Sequence, residues 1–222
     1  MTGSSDPETF PTPTIMPLGD SGLLVRFGSA LTDAANRAAI VLAVALERDP
    51  IAGVVEIVPN LVSVLLRYDP WASAPAAIAG ELRLRLFALG DTPVPGASWT
   101  IPTRFDGPDL DEVAAMLGMA APDFVAAHNA KPLRVLATGF APGFVYCGLH
   151  GEGLVVPRRT DVRPAVPPGS VLFAAGQTAV TATEMPTGWY VIGHTDFRNF
   201  DPAGAPPTRL RPGDMVAFEA AP

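Results

Sequence analysis

The chain has 222 residues, 48% hydrophobic and 17% charged, enough to bury the core of one large domain or two small ones. A formal net charge of −7 argues against electrostatic binding to nucleic acid, whose backbone calls for a basic surface. The single cysteine excludes an internal disulfide, and the longest apolar run, 38–46, is about half a membrane span, so a cytoplasmic protein is expected.

Residues 1–14 are acidic and proline-rich, with neither a basic start nor an apolar stretch; they read as a disordered tail, not a signal peptide. Leu23–Phe27 follows a Gly-Asp-Ser-Gly turn and predicts a strand. Thr32 is placed to cap a helix over 33–48 with Ile40, Val41, Val44 and Ala45 on its apolar face. Two β-branched runs, Val54–Val58 and Leu61–Tyr68, predict a hairpin turning at Pro59-Asn60. Pro75 opens a second helix carrying Ile78, Leu82, Leu86 and Leu89. That order predicts a ferredoxin-like α/β sandwich over 15–92, with a strand near Trp99–Ile101 falling on either side of the boundary.

Residues 90–96 are linker-like, and a second domain is expected over 93–222. Asp109-Leu110-Asp111-Glu112 has the spacing of a capping box for a helix ending at Gly118, and Pro122 suits the first turn of another carrying His128. From Leu133 onward, short apolar pieces alternate with glycine and proline, the pattern of a closed or nearly closed β-barrel.

Several residues are candidates for chemistry. Arg158, Arg159 and Arg163 lie on a segment that prolines hold extended; they would aim guanidinium forks at an anionic group or line a solvated, salt-bridged strand. Gln177 is polar on an otherwise apolar strand, suited to an oxyanion, an N–H or a neighbouring loop. Trp189 reads as a core anchor, His128 as a packing histidine or proton carrier, and Cys147 as a buried hydrophobe or a nucleophile. The sequence has no G-x-x-x-x-G-K-[ST] loop, no G-x-G-x-x-G fingerprint and no close metal-ligand spacing, so no metal is expected.

Gly-Phe-Ala-Pro-Gly-Phe-Val-Tyr at 139–146, Pro157-Arg158 with Arg163 five residues on, Val166-Pro-Pro-Gly-Ser-Val171, Gln177-Thr178 and Gly188-Trp-Tyr-Val-Ile-Gly-His-Thr195 together resemble the allophanate hydrolase subunit 1 family. That family is also known as the B subunits of 5-oxoprolinase and includes Kip-type sporulation kinase inhibitors. The resemblance implies an α+β protein, a ferredoxin-like domain followed by a cyclophilin-like barrel. It implies a C subunit as partner (allophanate hydrolase subunit 2-like) and, together with a third, A subunit, ATP-dependent opening of the lactam 5-oxoproline to glutamate. ATP would be shared with or supplied by a partner. The resemblance marks Arg158, Arg163, Gln177 and His128 as catalytic candidates and Phe140, Pro142, Phe144, Tyr146, Trp189 and His194 as substrate-binding candidates. The chain departs from the family pattern at Thr181-Ala182 in place of Tyr-Pro, His194 in place of arginine, and Val162 in place of proline. Two other roles are compatible with the resemblance: a regulator that inhibits a histidine kinase, and a carboxyltransferase-type subunit of a urea carboxylase or allophanate hydrolase-like assembly.

Overall fold

The computed structural model describes residues 10–90 and 96–221, and the chain divides into two compact units, Met1–Pro95 and Gly96–Pro222. Most of the tail expected at 1–14 and of the linker at 90–96 therefore lies outside the described residues.

In the first unit, strands β1 (Thr14–Leu18), β2 (Gly22–Arg26), β3 (Val54–Asn60) and β4 (Ser63–Tyr68) form one antiparallel sheet in the order β1-β2-β4-β3. Helices α1 (Asp33–Arg48) and α2 (Pro75–Phe87) cover it. The Thr32 hydroxyl accepts from the Ala35 amide at 3.2 Å, a cap of about 1 kcal/mol that fixes where α1 begins. The buried face of α1 is only partly the expected one: Ile40 is buried as expected, with Ala35, Ala38, Ala39, Leu42, Ala43 and Leu46, while Val41, Val44 and Ala45 are only half-buried. Alanines let the helix approach the sheet closely, and a helix apolar nearly all round gives periodicity little to decide on. The hairpin turn is also displaced. Pro59 and Asn60 pair with Val64 and Ser63 inside the ladder, and the chain reverses at Leu61-Val62. Strand β1 lies outside the predicted elements; it is an edge strand, which is where Pro17 is tolerated. It occupies the place beside β2 that the strand at 98–103 would have filled.

That later strand, β5 (Ser98–Thr103), belongs to the second unit. There β6 (Leu133–Thr138), β7 (Val145–Gly148), β9 (Ser170–Ala174), β10 (Gln177–Val180), β12 (Tyr190–His194) and β13 (Met215–Ala220) join it in a seven-stranded sheet, ordered β12-β9-β10-β7-β6-β13-β5. Strands β8 (Arg163–Val166) and β11 (Met185–Thr187) form a separate pair, and helices α3 (Leu110–Met116) and α4 (Ala121–His128) complete the unit. Among the described residues, β13 pairs with β5 in parallel and with β6 antiparallel. The sheet curls until its edges meet: Arg104, just past β5, and His194, ending β12, exchange two backbone hydrogen bonds of 2.8 Å. The barrel-like curvature expected from the strand pattern is present.

Closure depends on glycine at the seam. A Cβ on Gly193 would lie 2.3 Å from the Arg104 carbonyl oxygen, beside the bulge between Val191 and Gly193. Gly193→Ala is expected to cost about 1–3 kcal/mol of stability. Gly151→Ala, where a Cβ would meet nothing within 4 Å, serves as the control. Equal thermal midpoints for the two variants would overturn this account of closure.

Strand alternation gives the sheet two apolar faces. Val145, Cys147, Val171, Phe173, Val180, Tyr190 and Ile192 point to the barrel interior with Phe124, Val216 and Phe218. Phe144, Leu172, Ala174, Ala179, Trp189 and Val191 form the outer cluster, covered partly by Val166 and Met185 of the β8–β11 pair.

Candidate functional site

The outer cluster gathers most of the residues singled out from sequence. The loop between β6 and β7 holds Gly139, Phe140 and Gly143 at φ of +123°, +76° and +69°. For Phe140 that conformation costs about 1 kcal/mol or more, and it leaves the ring 78% exposed. Gly143 is required sterically, since a Cβ there would lie 2.5 Å from Phe200 Cβ and 2.8 Å from Ala182 Cβ. The loop is tied down by Asn199, whose Nδ2 donates to the Gly143 carbonyl at 2.9 Å.

From Phe140 the aromatic side chains run inward as a connected series. Ring centroids are 5.9 Å apart for Phe140–Phe144, 4.8 Å for Phe144–Tyr146 and 6.0 Å for Tyr146–Trp189. The Arg158 guanidinium lies 5.7 Å from the Trp189 centroid, a cation–π contact. The Arg159 amide donates to Gly188 O at 2.8 Å, which brings this segment against Trp189. Burial raises the Tyr146 phenol above its ordinary pKa, and nearby Arg158 offsets part of that. Pro142 stands in the same loop, exposed to solvent.

Gln177 opens β10 opposite Ala174 of β9, on the face of Ala179 and Tyr146 rather than the barrel interior. Its side chain is nearly buried, and its Oε1 has no hydrogen-bond partner. A buried orphan acceptor is costly, so this atom calls for a donor from water or a ligand.

The arginines divide into two kinds. Arg159 and Arg163 both donate to Oδ1 of Asp109, Arg159 at 3.1 Å, and Asp109 Oδ2 accepts from the Val191 amide at 2.8 Å. Arg159 also reaches Glu112 at 3.5 Å and stacks over Tyr190 at 5.3 Å. Their charge is thereby neutralised within the fold. Arg158 is exposed and makes no ion pair among the described residues. The capping box expected at 109–112 does not form. Asp109 stands at the N-cap of α3 without a side-chain cap bond, because its carboxylate is turned to the two arginines.

His128 lies on the other side of the sheet, in the barrel interior. It packs among Phe105, Phe124, Phe173 and Phe218 with centroids 5.4–6.1 Å away. Its Nδ1 lies 2.7 Å from Asn129 Oδ1 and its Nε2 lies 2.7 Å from Thr178 Oγ1, which in turn lies 2.9 Å from His150 Nε2. Since Asn129 Oδ1 only accepts, His128 carries its proton on Nδ1 and its Nε2 accepts from the Thr178 hydroxyl. The hydroxyl oxygen then accepts from His150 Nε2–H. Burial pushes His128 down to about 4, against the support of Asn129; burial, then neighbouring His128 and Lys131, push His150 down to about 3. Both rings are neutral at pH 7.

His194 likewise does not join the outer cluster: its Nδ1 is 3.0 Å from Asp106 Oδ1 at the barrel seam. Cys147 is fully buried in the interior, which pushes its thiol up to about 12, so it packs and does not attack. Thr181, one of the departures from the family pattern, is buried and holds the 167–170 turn. Its hydroxyl donates to Pro167 O at 2.8 Å and accepts from the Ser170 amide at 3.0 Å.

The outer cluster is thus suited to binding. It offers one unpaired guanidinium, aromatic surfaces and an orphan carbonyl acceptor; the histidines that could move a proton lie inside the barrel. Sequence reasoning does not single out Asp109, Thr178 or His150 for these contacts, nor Arg159 as a partner of Asp109. Asp109 is visible there as the start of the expected capping box and Thr178 as a member of the Gln177-Thr178 motif.

Residues 13–210 match the model of the carboxyltransferase domain, subdomain C and D. The chain is 33% identical over 215 residues to the B subunit of 5-oxoprolinase from Bacillus subtilis (strain 168), covering 90% of each protein. It is 46% identical over 112 residues to the B subunit of 5-oxoprolinase from Escherichia coli O157:H7, an alignment spanning 50% of this chain and 51% of that one. Among solved structures, TTHA0988 superposes with a TM-score of 0.79 at 37% identity; the match covers 90% of this chain and only 40% of that longer protein.

Proposed function

The chain belongs to the family of the carboxyltransferase domain, subdomain C and D, and on that premise we propose that it is the B subunit of a heteromeric 5-oxoprolinase. The observation that carries this reading is the 33% identity, across 90% of both chains, to a relative named as that subunit. The assembly would open 5-oxoproline to glutamate with consumption of ATP, in the cytoplasm, with a C subunit and an A subunit as partners. In this reading the first unit carries the family's ferredoxin-like domain, expected over 15–92, and the second its cyclophilin-like barrel, expected over 93–222.

The residues present do not fit a nucleotide site within this chain. The sequence lacks a phosphate-binding loop, and two of the three clustered arginines are paired with Asp109, Arg159 also with Glu112. ATP is therefore assigned to a partner subunit, and no step here is routed through it. What this chain offers is binding. Arg158, backed by Trp189, would take the carboxylate of the lactam. Phe140, Phe144 and Tyr146 would pack its ring, with Pro142 shaping the loop. The Gln177 Oε1 would accept a ligand N–H once the covering side chains admit it. Arg163 would act as a positioning residue through Asp109, and His128 and His194 would support the barrel without touching substrate.

The test is ATP-dependent glutamate formation by the chain co-expressed with its partner subunits. Arg158→Ala is expected to lower kcat/KM about 10- to 100-fold, the worth of a charged hydrogen bond. Unchanged activity would remove Arg158 from the site, and a wild-type assembly that forms no glutamate would sink the function itself.

A further inference from the structure

The first unit contains a cavity of about 690 Å³ between the segment leading into β1 and the C-terminal end of α2. Its walls include Phe10, Thr12, Ile15, Phe27, Leu86 and Phe87, and among the described residues a single charged one, Arg83, lines it. The volume falls within the ~300–1,000 Å³ usual for small-molecule sites. Phe87 is 95% exposed although it sits on this lining, so a large apolar side chain stands open to solvent at its rim.

The charge on this helix is distributed unevenly. Arg85, two residues on, is engaged by Glu81 at 2.6 Å and Asp49 at 2.9 Å. Arg83 makes no ion pair among the described residues. The carbonyls of the last turn of α2 repel anions, so Arg83, one turn in from the helix end, is the cation among the described lining residues that can hold an acidic group entering the groove.

We propose that this groove is a binding site for an amphipathic monocarboxylate, a small acid with an aliphatic or aromatic tail. The tail lies along Phe10, Phe27, Leu86 and Phe87, and the carboxylate pairs with Arg83. Among the described lining residues, one cation, mostly apolar walls and no acidic side chain match one negative charge on an apolar body. A second copy of this chain would bring the same arginine to the same groove, setting like charges together.

Decanoate and 1-decanol, equal in chain length and differing in charge, provide the test by calorimetric titration of the full chain. Wild type is expected to bind decanoate saturably and about tenfold more tightly than decanol. Arg83→Gln, a surface change that leaves packing intact, removes that preference. Phe87→Ser weakens both ligands. Absence of saturable decanoate binding below ~1 mM overturns the proposal. Equal affinity for the two ligands, or an Arg83→Gln variant that keeps the preference, overturns it as well. A reconstituted assembly in which a partner subunit protects Phe87→Cys from alkylation would show the groove to be an interface instead.

Discussion

Asp109→Ala is expected to destabilise the second unit by about 3 kcal/mol, the low end of the cost of breaking a buried ion pair. The carboxylate is 3% exposed and satisfies three donors at once: the guanidinium groups of Arg159 and Arg163 and the Val191 amide. Its removal leaves an amide of β12 unpaired in the interior, Arg163 without a counter-charge and Arg159 with only the longer contact to Glu112. The arginine side chains are 21% and 33% exposed, so water recovers part of their loss, which keeps the figure at the low end. The reverse deletion is milder. Arg163→Ala leaves Asp109 paired with Arg159, and about 1–2 kcal/mol is expected. Asp109→Asn, retaining an acceptor for Val191 without the charge, should fall between the two. Urea denaturation at constant m-value measures all three, and the thermal midpoint of Asp109→Ala should drop on the order of 10 °C. A greater loss from Arg163→Ala than from Asp109→Ala would refute the assignment of Asp109 as the hub.

That hub also marks where sequence reading stops. Asp109 stands fifty residues from Arg159 and carries the local signature of a helix cap, so spacing points to the wrong partner. Coulombic pairing has no sequence period, and only the fold brings β12 and the start of α3 together. The start of α1 is legible because Thr32 is a short-range signal with one geometric use. Its buried face is not, because a helix rich in alanine, valine and leucine offers several equivalent stripes. The curl of the second sheet is legible in its punctuation of glycine and proline. What alternation cannot supply is which parity faces inward: Gln177 and Thr178 are adjacent, yet Gln177 looks to the aromatic cluster and Thr178 to the buried histidines. The aromatic residues of the 139–146 motif do meet on one face with Arg158 and Trp189, while His128 and His194, marked alongside them, do not.

The buried histidines should make the second unit acid-sensitive well above the carboxylate range. In the unfolded chain each imidazole titrates near 6.5, whereas in the fold His128 is held down at about 4 and His150 at about 3. Between those limits the unfolded state binds more protons than the folded one, so stability falls as pH falls. Above pH 6.5 both states are neutral and the penalty vanishes. At pH 5 each ring contributes a loss of about 2 kcal/mol, giving a ceiling of about 4 kcal/mol for the pair relative to pH 7. Partial access of His150 to water lowers that ceiling. Charging His128 also disrupts the chain through Thr178. An imidazolium donates from both nitrogens, so His128 Nε2 would cease to accept the hydroxyl proton, which would lose that acceptor. His128→Gln removes one titrating ring while retaining polar atoms for Asn129 and Thr178. It is expected to lose stability at pH 7 through poorer packing among the phenylalanines, yet to show a shallower fall between pH 7 and 5. The slope of stability with pH, not its value at one pH, is therefore the quantity to compare. Parallel slopes for His128→Gln and wild type would mean that some other group takes up the protons.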